Sequence, residues 1–161
     1  MYIFIIIPTW YLYHIIEYSF HKLGHSRIYG GYIYRLHMNH HRIHYPTTQL
    51  KAPAPYKAGD EYYLADGIVA YLLPSFVILC MLYILVDLYI FLFITLELIC
   101  IGGISDHIHT QMHIEKSWLE KYEWFRENRR IHFIHHRKLH SNYSFAGLDY
   151  TIDRVCNTLQ T

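Results

Sequence analysis

The chain has 161 residues, a hydrophobic content of 53%, an aromatic content of 17% and a formal net charge of +1 with its histidines neutral. That length suits one domain spanning 1–161, that apolarity excludes a disordered tail, and so small a charge argues against nucleic acid as a partner. Three cysteines, Cys80, Cys100 and Cys156, make neither a disulfide framework nor a zinc knuckle, and the first two sit in apolar runs where a small packing residue is the ordinary role.

The first element is apolar: Met1–Phe20 carries Glu17 and no Lys or Arg. Without a basic start or a small-residue cleavage site it is expected to be a retained membrane helix, about 2–20, rather than a signal peptide. A polar, histidine-rich block follows at 21–44. The stretch Ala52–Tyr63, "APAPYKAGDEYY", has the prolines and glycine of a linker. Ile68–Val86 is then 19 residues without a charge, a helix of roughly 28 Å, which matches the hydrocarbon thickness of a bilayer. After Asp87 a second apolar run, 88–104, carries only Glu97. The pair is expected to form a helical hairpin through the membrane with Asp87 at its far turn. A soluble protein of this size could hardly cover three such segments. The second polar block, 106–140, contains "IEKSWLEKYEWFRENRR", in which Trp118, Leu119, Tyr122 and Phe125 are expected to share one face of an amphipathic helix, either interfacial or lying over a core. All 14 Lys and Arg lie within 22–57 or 116–154, so the positive-inside tendency puts both polar blocks, and the histidines in them, on the cytoplasmic side.

Histidine is the residue type that carries chemistry here, with 14 in the chain. "HMNHH" (His37, His40, His41) and "HFIHH" (His132, His135, His136) repeat one pattern for which this composition predicts about 0.1 chance matches. Two further pairs, His21 and His25 in "HKLGH" and His109 and His113 in "HTQMH", have the i,i+4 spacing that sets two imidazoles on one helix face. In the HxxHH pattern, i and i+3 are expected to share a face while the next residue turns aside towards a neighbour. Ten imidazoles exceed what one ion can hold, and at four to six ligands per ion they call for two metals. Imidazole suits iron, copper, nickel and zinc, and by the Irving–Williams order zinc can replace the working metal on purification. His14, His44, His107 and His140 fit no cluster, although His44 and His140 trail the HxxHH patterns and are candidates for an outer shell.

These boxes, "EYSFHKLGH", "HMNHH", "DHIHTQMH" and "HFIHH", in this order and with a membrane hairpin between the second and third, resemble those of the fatty acid hydroxylase and sterol desaturase superfamily. The resemblance runs from about Glu17 to the C-terminus. Glu17 matches an acidic residue common before the first box, and Asn142–Tyr143 is similar to an Asn–aromatic pair after the last. The chain departs from the family pattern at "NYS" and at "DRVCNT", Asp153–Thr158. The resemblance implies an all-α integral membrane bundle, one N-terminal helix plus the hairpin, capped by a cytosolic histidine-rich helical domain. It also implies a non-haem centre of two iron ions with O2 as co-substrate. The ligands would be His21, His25, His37, His40, His41, His109, His113, His132, His135 and His136. Electrons would come from NAD(P)H through cytochrome b5 or a reductase, and the site would face the cytoplasm, at the endoplasmic reticulum in a eukaryotic host or the inner membrane in a bacterial one.

The expected activity is hydroxylation of an unactivated C–H bond of a membrane lipid, an acyl chain before a sterol or carotenoid, and desaturation within the same superfamily is the alternative. No side chain need act as nucleophile or general base. Glu17 and Asp106 are expected to accept ring N–H bonds from the boxes, Asp106 from His109 three residues on, with Asn142 also near the site. A metal-transport or metal-storage membrane protein is the competing class. It would want ionisable residues lining the spans, where only His14, Glu17 and Glu97 are found.

Overall fold

The computed structural model describes residues 3–55, 68–144 and 147–161, and among these every regular element is helical. The linker Ala52–Tyr63 lies mostly outside the described residues. The elements are α1 (Ile3–Gly24), α2 (Gly31–Asn39) running into a π-helical turn (His40–His44), α3 (Ile68–Leu85), α4 (Leu88–Met112), a 3₁₀ turn (Trp118–Lys121), α5 (Glu123–Arg137) and the short α6 (Thr151–Val155).

The expected hairpin forms. Helix α3 ends at the predicted turn, and Asp87 becomes the N-cap of α4, its Oδ1 accepting from the backbone N–H of Tyr89 (2.9 Å) and Ile90 (3.1 Å). Across the turn the rings of Tyr83 and Phe91 pack edge to face. Among the described residues α4 alone is long and apolar enough to cross a membrane, and Ser75–Leu85 of α3 forms a shorter apolar stretch. The N-terminal segment is helical as expected but less apolar, because one of its faces is polar and turned inwards. Thr9, His14, Tyr18 and His21 of α1 are buried, while Phe4, Ile7 and Ile15 are exposed.

That inward face lies along α4. Tyr13 lies against Gly102 and Glu17 accepts a bond from Ser105 Oγ (2.7 Å), so α1 and α4 run in the same direction and deliver histidines from their C-terminal ends to one place. Helix α2 then folds back onto α1. A Cβ at Gly24 would stand 3.1 Å from Cγ of His37, so the glycine in "HKLGH" is what lets the two helices come this close.

The segment Ile114–Arg130 does not form one amphipathic helix. Ser117 caps the 3₁₀ turn through the N–H of Leu119 (3.2 Å), and the extended backbone at Tyr122 separates that turn from α5. The break splits the four residues expected on one face. Leu119 and Phe125 are buried with Ile108 and Met112 in the apolar corner between α4 and α5, whereas Trp118 and Tyr122 are exposed. Arg129 closes the corner, donating to the carbonyls of Gln111 (2.7 Å) and Ile114 (3.0 Å) at the end of α4 and pairing with Glu120.

Candidate metal centre

All ten box histidines meet at the C-terminal ends of α1, α2, α4 and α5. They sort into two groups whose ring nitrogens lie within 4.8 Å of one another: His21, His25, His37, His41 and His135, and His40, His113, His132 and His136. His109 stands beside the second group, its ring centroid 4.8 Å from that of His132 and 5.0 Å from those of His40 and His113.

This sorting corrects the sequence expectation for HxxHH. The first and last histidines share a group, His37 with His41 and His132 with His136, while the middle ones, His40 and His135, go to the opposite group. At 100° per residue, i+4 returns to within about 40° of the start and i+3 falls about 60° short on the other side, so the adjacent pair splays apart. Each HxxHH box therefore serves both groups.

Backbone carbonyls fix the rings. His21 Nδ1 donates to Tyr143 O (2.7 Å) and His135 Nδ1 to Ser141 O (2.6 Å). In the second group His113 Nδ1 donates to Leu50 O (2.8 Å) and His136 Nδ1 to Tyr45 O (3.1 Å). A carbonyl can only accept, so each of these four rings carries its proton on Nδ1 and presents a bare lone pair at Nε2. Yet His21 Nε2 and His135 Nε2 face each other at 3.0 Å, and the bare Nε2 atoms of His113 and His136 lie in one group within 4.8 Å of each other. Lone pairs pointed at one another across such distances repel unless a cation lies among them. Protonation does not supply it. Burial pushes His113 down to about 3 and holds His37, His40, His41, His132, His135 and His136 well below the ordinary histidine range. Neutral, largely buried nitrogens, four of them on rings with fixed tautomers, converging in sets of four and five, are a donor set that fits metal ions.

The outer contacts differ from those expected. Glu17 bonds to His14 Nδ1 (3.1 Å), Ser105 Oγ and Tyr13 OH, and so ties α1 to α4 rather than orienting a box histidine. Asp106 shows no bond to His109, and the ring that bears on its carboxylate is that of His107. His44 closes the π-helical turn and His140 is exposed. Asn142 holds the C-terminus, with Nδ2 donating to Ile131 O (3.1 Å) and Gln160 O (2.9 Å), and its φ of 54° lets the carbonyls on either side reach His135 and His21. The orienting groups are the carbonyls of Tyr45, Leu50, Ser141 and Tyr143. Tyr45 also stacks on His113, ring centroids 4.1 Å apart. Of these four residues only Tyr143 had a sequence signal, in the Asn–aromatic pair.

The protein-family model described as fatty acid hydroxylase matches residues 6–158. No curated protein and no solved structure matches the chain.

Proposed function

Because the chain belongs to the fatty acid hydroxylase family, within the fatty acid hydroxylase/sterol desaturase superfamily, we propose that it is a membrane-bound, O2-dependent oxidoreductase that hydroxylates an unactivated C–H bond of a lipid, with an acyl chain as the favoured substrate. The observation that carries this reading is the convergence of anchored, unprotonated Nε2 atoms in two adjoining buried groups. The ten box histidines would hold two iron ions, which, when bound, supply the reductive activation of O2.

The chain's own residues do the rest by binding, orienting and excluding water. Nine of the ten box histidines are buried, and His25 is partly exposed, which keeps the reacting centre dry. The four carbonyl anchors hold the rings so that the donor nitrogens need not reorganise as charge changes among them. Every donor in the set is a neutral imidazole, so no carboxylate ligand offsets the metal charge.

Two exposed surfaces support a membrane placement. Leu92, Leu96 and Ile99 make an exposed apolar stripe on α4, suited to lipid. Beyond its end come the exposed aromatics Trp118, Tyr122 and Trp124, with Lys121 Nζ 4.9 Å above the Tyr122 ring, a composition suited to the headgroup layer. This supports a membrane bundle of α1, α3 and α4 with the histidines at its cytoplasmic end. An external electron donor, a cytochrome b5-like carrier or a reductase, would approach from that side.

The test is expression in a lipid-producing host with iron and a reductase supplied, followed by lipid mass spectrometry. A lipid product heavier by one oxygen atom is expected, and it disappears with His135→Ala. Its absence from the wild-type host, or persistence in the variant, would overturn the reading.

A further inference from the structure

The two histidine groups differ in the buried charge beside them. Asp153, fully buried in α6, has no cation as partner among the described residues. Its Oδ1 accepts from Tyr143 N–H (2.8 Å) and Thr158 Oγ1 (2.7 Å), and its Oδ2 from Ser144 N–H (2.7 Å). Those contacts clamp the segment 141–144, which supplies both carbonyl anchors of the five-histidine group, Ser141 O to His135 and Tyr143 O to His21. The carboxylate binds the backbone N–H of the same Tyr143 whose carbonyl holds His21, so its charge lies one residue from a ring of this group. Beside the four-histidine group the buried charge is a cation, Arg129, one helical turn before His132 on α5 and partly offset by Glu120.

We propose that Asp153 is the positioning residue of the five-histidine group, and that it makes this group the tighter of two unequal metal positions. A divalent ion held only by neutral imidazoles and out of water gains from a nearby buried anion and loses from a nearby buried cation. Asp153 acts in two ways at once, by its charge and by fixing the two carbonyls that hold the tautomers of His21 and His135. Replacing it with Asn removes the charge and turns one amide N–H end towards a backbone N–H, so both effects fall on one group. This rests on the reading of the two groups as metal sites.

The test is titration of the full-length, metal-free protein in detergent with Co²⁺, followed by its visible absorption. Wild type is expected to fill in two steps. His25→Ala should abolish the tighter step and His40→Ala the weaker, which assigns each step to its group. Asp153→Asn should weaken the tighter step by about 10–100-fold, the usual effect of losing an outer partner, and leave the weaker one in place. Thr158→Val, which removes one of the three bonds to the carboxylate, should weaken the same step by a smaller factor and gives the answer if Asp153→Asn does not fold. Equal weakening of both steps, no change in either, or loss of the weaker step alone would overturn the proposal. Failure of wild type to bind any Co²⁺ would overturn the metal reading and the role of Asp153 with it.

Discussion

The five-histidine group takes its backbone anchors from one short segment near the C-terminus, whereas the four-histidine group takes its anchors from Tyr45 and Leu50, just after the π-helical turn. The first group is held by polar clamping. Asp153 binds the anchor segment, Thr158 binds Asp153, and Asn142 within the segment binds Ile131 O. The second group adjoins the apolar corner of Ile108, Met112, Leu119 and Phe125, and Tyr45 covers one of its rings. Carbonyl hydrogen bonds orient rings in both groups, but the surroundings of those anchors are polar in the first and apolar in the second. The two should fail under different substitutions.

The largest effect is expected from the crossed boxes. His40 and His41 are neighbours in sequence, yet they belong to different groups. His40→Ala should remove metal from the four-histidine group and His41→Ala from the five-histidine group, with lipid product lost in both. Two variants that empty the same step of a Co²⁺ titration would break the comparison.

Proton binding should act on both groups alike. His113 falls from the usual 6.5 to about 3, and His135 and His136 fall in the same direction. A histidine whose folded pKa is depressed is neutral in the fold and takes up a proton on unfolding. Stability of the metal-free protein is therefore full above about pH 6.5 and is lost as pH falls from there towards 3. Thermal melts across that range should show the midpoint dropping steadily, and bound metal should protect at each pH where it stays bound. A flat profile would mean that the rings are solvated.

Packing variants separate the groups again. Phe125→Ala empties the corner beside the four-histidine group and should cost about 3–5 kcal/mol, visible as a lower melting point and a weaker second metal step. Gly24→Ala should press a Cβ against His37, 3.1 Å away, at a cost of about 1–3 kcal/mol. Its mark should fall on the five-histidine group. If Gly24→Ala instead weakened the four-histidine step, the division between clamped and packed groups would not hold.

Sequence spacing was enough to show the helical class, the hairpin turn at Asp87 and the ten histidines that converge. These depend on composition and on period, both visible along the chain. The division into five and four with His109 alongside was not legible, because it turns on which way His40 and His135 splay, a matter of helix phase at the site. Nor were the orienting groups. A carboxylate such as Glu17 or Asp106 stands out in a sequence, but the acceptors here are main-chain carbonyls, which every residue has. Only the fold shows that Leu50 and Ser141 place theirs beside a ring. The break at Tyr122 was hidden for a similar reason. The spacing of Trp118, Tyr122 and Phe125 fits one helix, and the extended backbone at Tyr122 ends that fit.

The smallest effect should come from the far end of the hairpin, and it serves as the control for the rest. Asp87 accepts two backbone N–H bonds at the start of α4, some twenty residues before His109 and on no element that anchors a ring. A helix of 25 residues spans roughly 37 Å, so a loosened first turn is felt as local fraying and not as a shift of the histidines at the other end. Asp87→Ala should cost about 0.5–2 kcal/mol and leave both steps of the Co²⁺ titration at wild-type affinity. Equal weakening of both steps would show that the hairpin sets the spacing of the two groups as a unit, and the contrast between clamped and packed anchors would then be secondary to the position of α4.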